Sequence, residues 1–316
     1  MNAKSKLGSL ILLVCMFLFA GLSAEVFAQS SYDRVYIFGD SLSDSGNVYA
    51  LTGQTSRAPY DIIPSYPYVI GGHHFSNGKT WAERLAQALK DNDGGKASRD
   101  EPGKNGNYAH GGARARSGSG SAAPSSSMQI AMFMGDYGSA TSGALYVLQF
   151  GGNDLRDALV AGATDASAVL PILQGAIGEL AVNIQTLYLA GARHFLVANA
   201  PNIGHAPAVQ MGGAGGVASY LVGQYNLGFE MALSQLDALP GINIRRFDMG
   251  GFIDEVVTDP GAFGLSNTTS TCLFFFADTE AQCSNPQEYL FWDGIHPTSA
   301  AHEALAERAL ESLGNN

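Results

Sequence analysis

The chain has 316 residues, of which 46% are hydrophobic and 14% charged, and a formal net charge of −11. This composition suits a soluble globule with a sizeable core and does not suit a disordered or fibrous chain. With no basic stripe, the acidic balance argues against nucleic-acid partners and against electrostatic docking on anionic lipid.

The first residues carry Lys4 and Lys6, an apolar run from Leu10 to Ala20, and the stretch Val26-Phe27-Ala28. That is the pattern of a secretory signal peptide over residues 1–28, cut near Ala28, and the apolar run is short for a membrane span. Cys15 lies inside it, without the small residues ahead of it that a lipoprotein cleavage site needs. Loss of Lys4, Lys6 and Glu25 with the leader makes the exported chain one unit more negative. Its two remaining cysteines, Cys272 and Cys283, flank a short polar loop. In an oxidising compartment they are expected to form a disulfide.

Along the exported chain, "RVYIFGD" reads as a strand ending at Gly39, and "KTWAERLAQALKD" as a helix with Trp81, Leu85 and Leu89 on one face. "NYAHGGA" is a short strand, and Ser117 to Ser127 a low-complexity surface loop. "ALYVLQFGGND" is apolar on both faces up to Gly151, and "AVLPILQGAIGELAVNIQTLYLAGA" reads as a helix ending near Gly191 despite Pro171 and Gly175. The strand "RHFLVANAP" follows, then a flexible Gly212–Gly216 turn, a second long helix and the strand "INIRRFDM". A last amphipathic helix, "SAAHEALAERALESL", is expected to expose His302. Apolar strands alternating with helices predict one α/β/α domain over residues 29–316, built on a parallel sheet covered on both faces.

Open parallel sheets bind ligands at the carboxyl ends of their strands. Those ends carry Gly39-Asp40-Ser41, Gly111-Gly112 and Gly151-Gly152-Asn153-Asp154, and "WDGIHPT" brings Asp293 and His296 ahead of the last helix. A serine hydroxyl becomes a competent nucleophile when a base takes its proton, and a histidine oriented by a carboxylate can do so. Asp293 and His296 are close enough to share one loop, and Thr298 or Ser299 would cap the helix behind it. The N–H groups of Ser41 and Gly112 and the Asn153 amide would serve a developing oxyanion, with glycine letting the backbone approach. Each signal alone has an ordinary explanation as a turn, a helix cap or a surface residue. Their combination in this order points to catalysis.

These residues resemble those of the GDSL esterases and lipases, also called SGNH hydrolases. "FGDSLSDSGN", "NYAHGGARA", "GGND" and "DGIHPT" match four family blocks, and "HFSNGKTWAERL" and "DPGAFGLSNTTSTC" resemble its long-chain branch of secreted bacterial esterases, phospholipases and acyltransferases. The resemblance spans nearly the whole exported chain. It implies a flavodoxin-like three-layer fold with about five parallel strands, Ser41 as nucleophile, His296 as base with Asp293 as its partner, and Ser41, Gly112 and Asn153 as the oxyanion hole. Asp40, Asp44, Asn47 and Asp154 are then supporting residues, and no cofactor or metal is needed.

A serine esterase acting on a small-molecule or lipid ester is the reading, as a periplasmic or secreted monomer with transient membrane-lipid contact compatible. A lipid acyltransferase or phospholipase, a choline-ester hydrolase using Trp292, and a carbohydrate acetylesterase stay open on the same machinery. No Gly-x-Ser-x-Gly elbow and no phosphate-binding loop occurs. His110 reads as a polar turn residue, and His73-His74 as a loop pair without a third metal ligand. The pocket walls are expected from residues 60–75, 117–127 and 263–276.

Overall fold

The strands β1 (Val35–Gly39), β2 (Leu145–Gln149), β3 (His194–Ala198) and β4 (Asn243–Phe247) lie side by side and parallel in that order. They belong to a computed structural model that describes residues 32–314. The expected signal peptide and its cleavage point lie outside the described residues. Every residue of β1 and β2 is buried, as strands covered on both faces require.

The pleat sends successive side chains to opposite layers. Tyr36, Phe38, Tyr146, Leu148, Phe195 and Val197 face one core, and Val35, Ile37, Leu145, Val147, Leu196 and Ala198 face the other. In chain order the helices are α1 (Asn47–Thr52), α2 (Trp81–Ala88), α3 (Ser126–Tyr137), α4 (Gly152–Gly162), α5 (Val169–Leu189), α6 (Pro207–Met211), α7 (Gly215–Leu236), α8 (Met249–Thr258) and α9 (Ser299–Gly314). Ile130 and Phe133 of α3, Leu155 of α4, Leu180 of α5 and Phe229 of α7 close the first core. Trp81 of α2, Phe252 of α8 and Leu305 of α9 close the second. A fully buried ring such as Phe133 or Phe195 contributes roughly 2–3 kcal/mol by leaving water.

The short strand expected at "NYAHGGA" is reduced to isolated bridges of Asn107 with Ile37 and with Ala97. Its backbone still follows the open edge of β1. Ile37 donates to Gly106 at 2.9 Å, Tyr108 to Ile37 at 2.7 Å and His110 to Gly39 at 3.1 Å. Counted as an edge strand, this segment gives the spatial order 2-1-3-4-5 of flavodoxin-like sheets. A separate pair, β5 (Asn267–Thr271) with β6 (Tyr289–Phe291), precedes α9. The Cys272–Cys283 disulfide is present, and with Tyr60, Tyr68, Leu273 and Trp292 it forms a satellite cluster behind the Asp293–His296 loop.

Several local expectations are corrected. His302 is 1% exposed, because it lies on the stripe of α9 that also buries Leu305, Ala309 and Leu313, and its Nδ1 accepts from the Trp81 N–H at 3.3 Å. His110 is fully buried, with Nδ1 2.8 Å from the Tyr108 carbonyl and Nε2 accepting from Arg99 at 2.7 Å. His74 faces a carboxylate after all, Glu83 at 2.7 Å. Residues 117–127 do not all form a loop, since Ser125 caps α3 and Ser126 and Ser127 begin it.

Candidate active site

The nucleophile turn begins where β1 ends. Gly39 is clamped on both sides by Gln129, which accepts from the Gly39 N–H at 2.9 Å and donates to its carbonyl at 2.8 Å. After it the chain turns sharply, with Ser43 and Asp44 both donating to the Asp40 carbonyl at 3.1 and 3.0 Å. The Asp40 carboxylate accepts from Leu42 at 3.0 Å, and its burial pushes its pKa up to about 6. Ser41 therefore stands on the rim, 8% exposed.

Two side chains tie this turn to the neighbouring loop. Asp44 accepts from Gly46 at 2.8 Å, from Asn47 at 2.6 Å and, across the gap, from Gly111 at 2.8 Å. Asn47 donates to the carbonyls of Asn107 and Ala109 at 2.8 and 2.9 Å and accepts from Arg99 at 3.1 Å. Gly112 follows at φ +77°, in the left-handed region that glycine alone enters freely. Among the described residues, neither the Ser41 nor the Gly112 N–H has a protein acceptor.

At the end of β2, Gly151 turns the chain into α4, and Asn153 sits in the helix's first turn. One of its two amide hydrogens is used, donated to the Ala113 carbonyl at 3.0 Å. The contact holds the amide against the segment that carries Gly112. Asp154 accepts from the Ala115 N–H at 2.7 Å and from Arg116 at 2.9 Å, which fixes the same segment from the other side.

The fourth piece is the turn before α9. Asp293 Oδ1 accepts from the backbones of Ile295 at 2.9 Å and His296 at 2.8 Å, so the turn is shaped by the acid itself. Thr298 caps α9 by accepting from Ala301 at 3.3 Å. Asp293 Oδ2 lies 2.8 Å from His296 Nδ1, and His296 Nε2 lies 2.8 Å from Ser41 Oγ. An ionised carboxylate can only accept, so the Nδ1 proton belongs on the Asp293 side and Nε2 is left to accept from the serine hydroxyl. Asp293 is fully buried and His296 is 3% exposed.

Sequence reasoning did not find several residues here. Tyr68 donates to Asp293 Oδ2 at 2.9 Å, a contact between residues 225 positions apart. Two cavities meet at Ser41, Asn153 and His296. One is walled mainly by Leu42, Pro201, Ile203, Val209 and Ile295, the other by Ile63, Pro64, Ser65, Phe75, Gly111 and Gly112, and Arg156 lines both. Of the expected wall segments only 60–75 takes part; residues 117–127 and 263–276 line neither cavity. Pro201 and Ile203 follow β3 directly, so the strand-exit rule that located Ser41 also pointed to them. Trp292 is 1% exposed and belongs to a different cavity, with Tyr60 and Tyr68. Among the described residues no group of three His, Cys, Asp or Glu side chains is placed to hold a metal ion.

A family profile described as GDSL-like lipase/acylhydrolase matches residues 35–309. A thermolabile hemolysin of Vibrio parahaemolyticus is 26% identical over 90% of the chain and 64% of its own length, so the chain spans about two thirds of that relative. A phosphatidylcholine-sterol acyltransferase of Aeromonas hydrophila is 25% identical over 94% of the chain and 95% of its own. A GDSL esterase/lipase of Arabidopsis thaliana is 27% identical over 92% and 90%. An acetylxylan esterase from Geobacillus stearothermophilus, whose structure is solved, aligns over 90% of this chain and 94% of its own with a TM-score of 0.46 and 14% identity.

Proposed function

The chain belongs to the GDSL lipase/acylhydrolase family and is a carboxylic ester hydrolase, and on that premise we propose that Ser41, His296 and Asp293 form its catalytic triad. The observation that carries this reading is the unbroken chain from Asp293 through His296 to Ser41, with both links at 2.8 Å. His296 Nε2 takes the Ser41 proton as Oγ attacks the ester carbonyl carbon. The carbonyl π electrons move to oxygen, and the oxyanion meets the N–H groups of Ser41 and Gly112 and the second amide hydrogen of Asn153. Collapse breaks the bond to the alcohol oxygen, which leaves with the proton from Nε2. Water, deprotonated by the same nitrogen, then attacks the acyl carbon; the bond to Ser41 Oγ breaks, the serine regains the proton from Nε2 and the acid leaves.

The leader pattern and the disulfide support an exported, single-domain enzyme. The apolar cavity beside Ser41 supports binding of the acyl group there, with the alcohol in the second cavity. A choline ester held by Trp292 is not favoured, because that ring lies outside both cavities. Acyl transfer is a second reading, supported by likeness to the Aeromonas acyltransferase over nearly the full length of both chains.

Hydrolysis of nitrophenyl esters from acetyl to palmitoyl tests the reading, with Ser41→Ala as control. Turnover that falls by about three to six orders of magnitude in the variant is the expected result. Turnover that survives Ser41→Ala would refute the assignment. Added alcohol acceptors that yield new esters would favour transfer over hydrolysis.

A further inference from the structure

Arg156 lies one helical turn beyond Asn153 on α4 and lines both cavities that meet at Ser41. The neighbouring arginines are saturated. Arg114 is held by Asp157 at 2.8 Å, and Arg116 by Asp157 at 2.7 Å and Asp154 at 2.9 Å. Among the described residues, none accepts a hydrogen bond from the Arg156 guanidinium or pairs with it as an ion.

Its surroundings do not favour the charge. Burial acts most strongly against the cationic form, and Arg114 repels it, against weaker attraction from Asp157 and Asp40. An arginine does not answer such an environment by losing its proton. It is left as a planar fork of five donors facing the cleft, the shape that matches a carboxylate or phosphate in two parallel bonds. This local cation also stands out in a chain whose net charge is −11. From a distance the molecule repels anions; beside Ser41 it presents a donor set for one.

We propose that Arg156 binds an anionic group, carboxylate or phosphate, carried on the alcohol side of the ester that Ser41 attacks. The side follows from the walls. Leu42, Pro201, Ile203, Val209 and Ile295 suit an acyl chain, whereas the other cavity brings Ser65, Gly111 and Gly112 to the leaving group. The proposal rests on the esterase reading and adds the substrate class.

The test compares kcat/KM within two pairs that share an acetyl group, each corrected for its rate of hydroxide hydrolysis. One pair is 3-acetoxybenzoate against 3-acetoxybenzamide. The other is the acetyl ester of glycerol 3-phosphate against monoacetylglycerol. The wild-type enzyme should prefer the anionic member by about ten-fold or more, the scale of a charge-assisted hydrogen bond, with the difference mainly in KM. The pair that shows it tells carboxylate from phosphate. Arg156→Met and Arg156→Gln should bring the ratio to about one, and Arg156→Lys should retain part of it. A wild-type ratio near one in both pairs, or a preference that survives in Arg156→Met, overturns the proposal. So does turnover of nitrophenyl acetate with none of either pair. Failure on nitrophenyl acetate itself would instead overturn the esterase reading on which the proposal stands.

Discussion

Replacing Asn47 by alanine should cost much stability and less activity. The Asn47 side chain is fully buried and bridges the nucleophile turn to the segment ahead of Gly112. Alanine would strand the Ala109 carbonyl and the Arg99 N–H, while the Asn107 carbonyl keeps the Ser98 N–H at 2.8 Å. At about 1–3 kcal/mol for each of the two unsatisfied groups, less whatever water recovers, the loss is about 2–5 kcal/mol. With about 2–4 °C for each kcal/mol, Tm should fall by roughly 4–20 °C. Asp44 still holds Gly111 at 2.8 Å, so the oxyanion loop keeps one tie and kcat should fall only about ten-fold. Asn47→Asp sharpens the test, because a carboxylate would face two carbonyls. Its folded pKa would be raised, so its stability is retained below the ordinary aspartate range and lost as pH rises through the folded value. Thermal melting at pH 5 and pH 8, with nitrophenyl acetate turnover at 25 °C, reads both effects. A Tm of Asn47→Ala within 3 °C of wild type would refute this bridging role.

Three further outcomes are expected. Asn153→Ala should lower kcat about 10²–10³-fold on nitrophenyl acetate with little change in KM, as for loss of one oxyanion donor; undiminished kcat would remove it from that role. Gly111→Ala would put a Cβ 2.2 Å from the Phe75 ring, which packs 5.3 Å from the His296 ring, so steady-state assays should show at least a ten-fold loss of activity and chemical denaturation a loss of about 1–3 kcal/mol. His302 is pushed down to about 3, first by burial and then by the charges of His74, His296 and Arg84. The stability tied to its neutral form is complete above the unfolded value near 6.5 and is lost as pH falls toward 3, about 3 kcal/mol at pH 4. His302→Gln should therefore lose less stability than wild type between pH 7 and pH 4 in urea titrations, and equal losses would contradict that account.

What the sequence disclosed follows from its local signals. The first three strands of the sheet are nearly continuous apolar runs, whereas the fourth, Asn243–Phe247, buries only Ile244 and Phe247. Ser41 and Asn153 stand at strand exits and Asp293 and His296 in one short turn, so their placement was legible from spacing. The edge strand was only partly legible, because Asn107 commits its side chain to loop contacts and β1 is its only strand neighbour. His302 was misread although the signal was present: it repeats with Leu305, Ala309 and Leu313 at helical spacing. Tyr68, Gln129 and Arg156 were not legible at all. Tyr68 and Gln129 act through partners 225 and 90 positions away, and Arg156 matters only because two cavities happen to share it.

The central claim is that Ser41 is a nucleophile activated by His296. Intact-protein mass spectrometry after treatment with a fluorophosphonate tests it most directly, followed by mapping of the modified peptide. One adduct per chain on the peptide containing Ser41, absent in Ser41→Ala and formed far more slowly in His296→Ala, is the predicted result. A chain that stays unmodified, or an adduct on another residue, would contradict it.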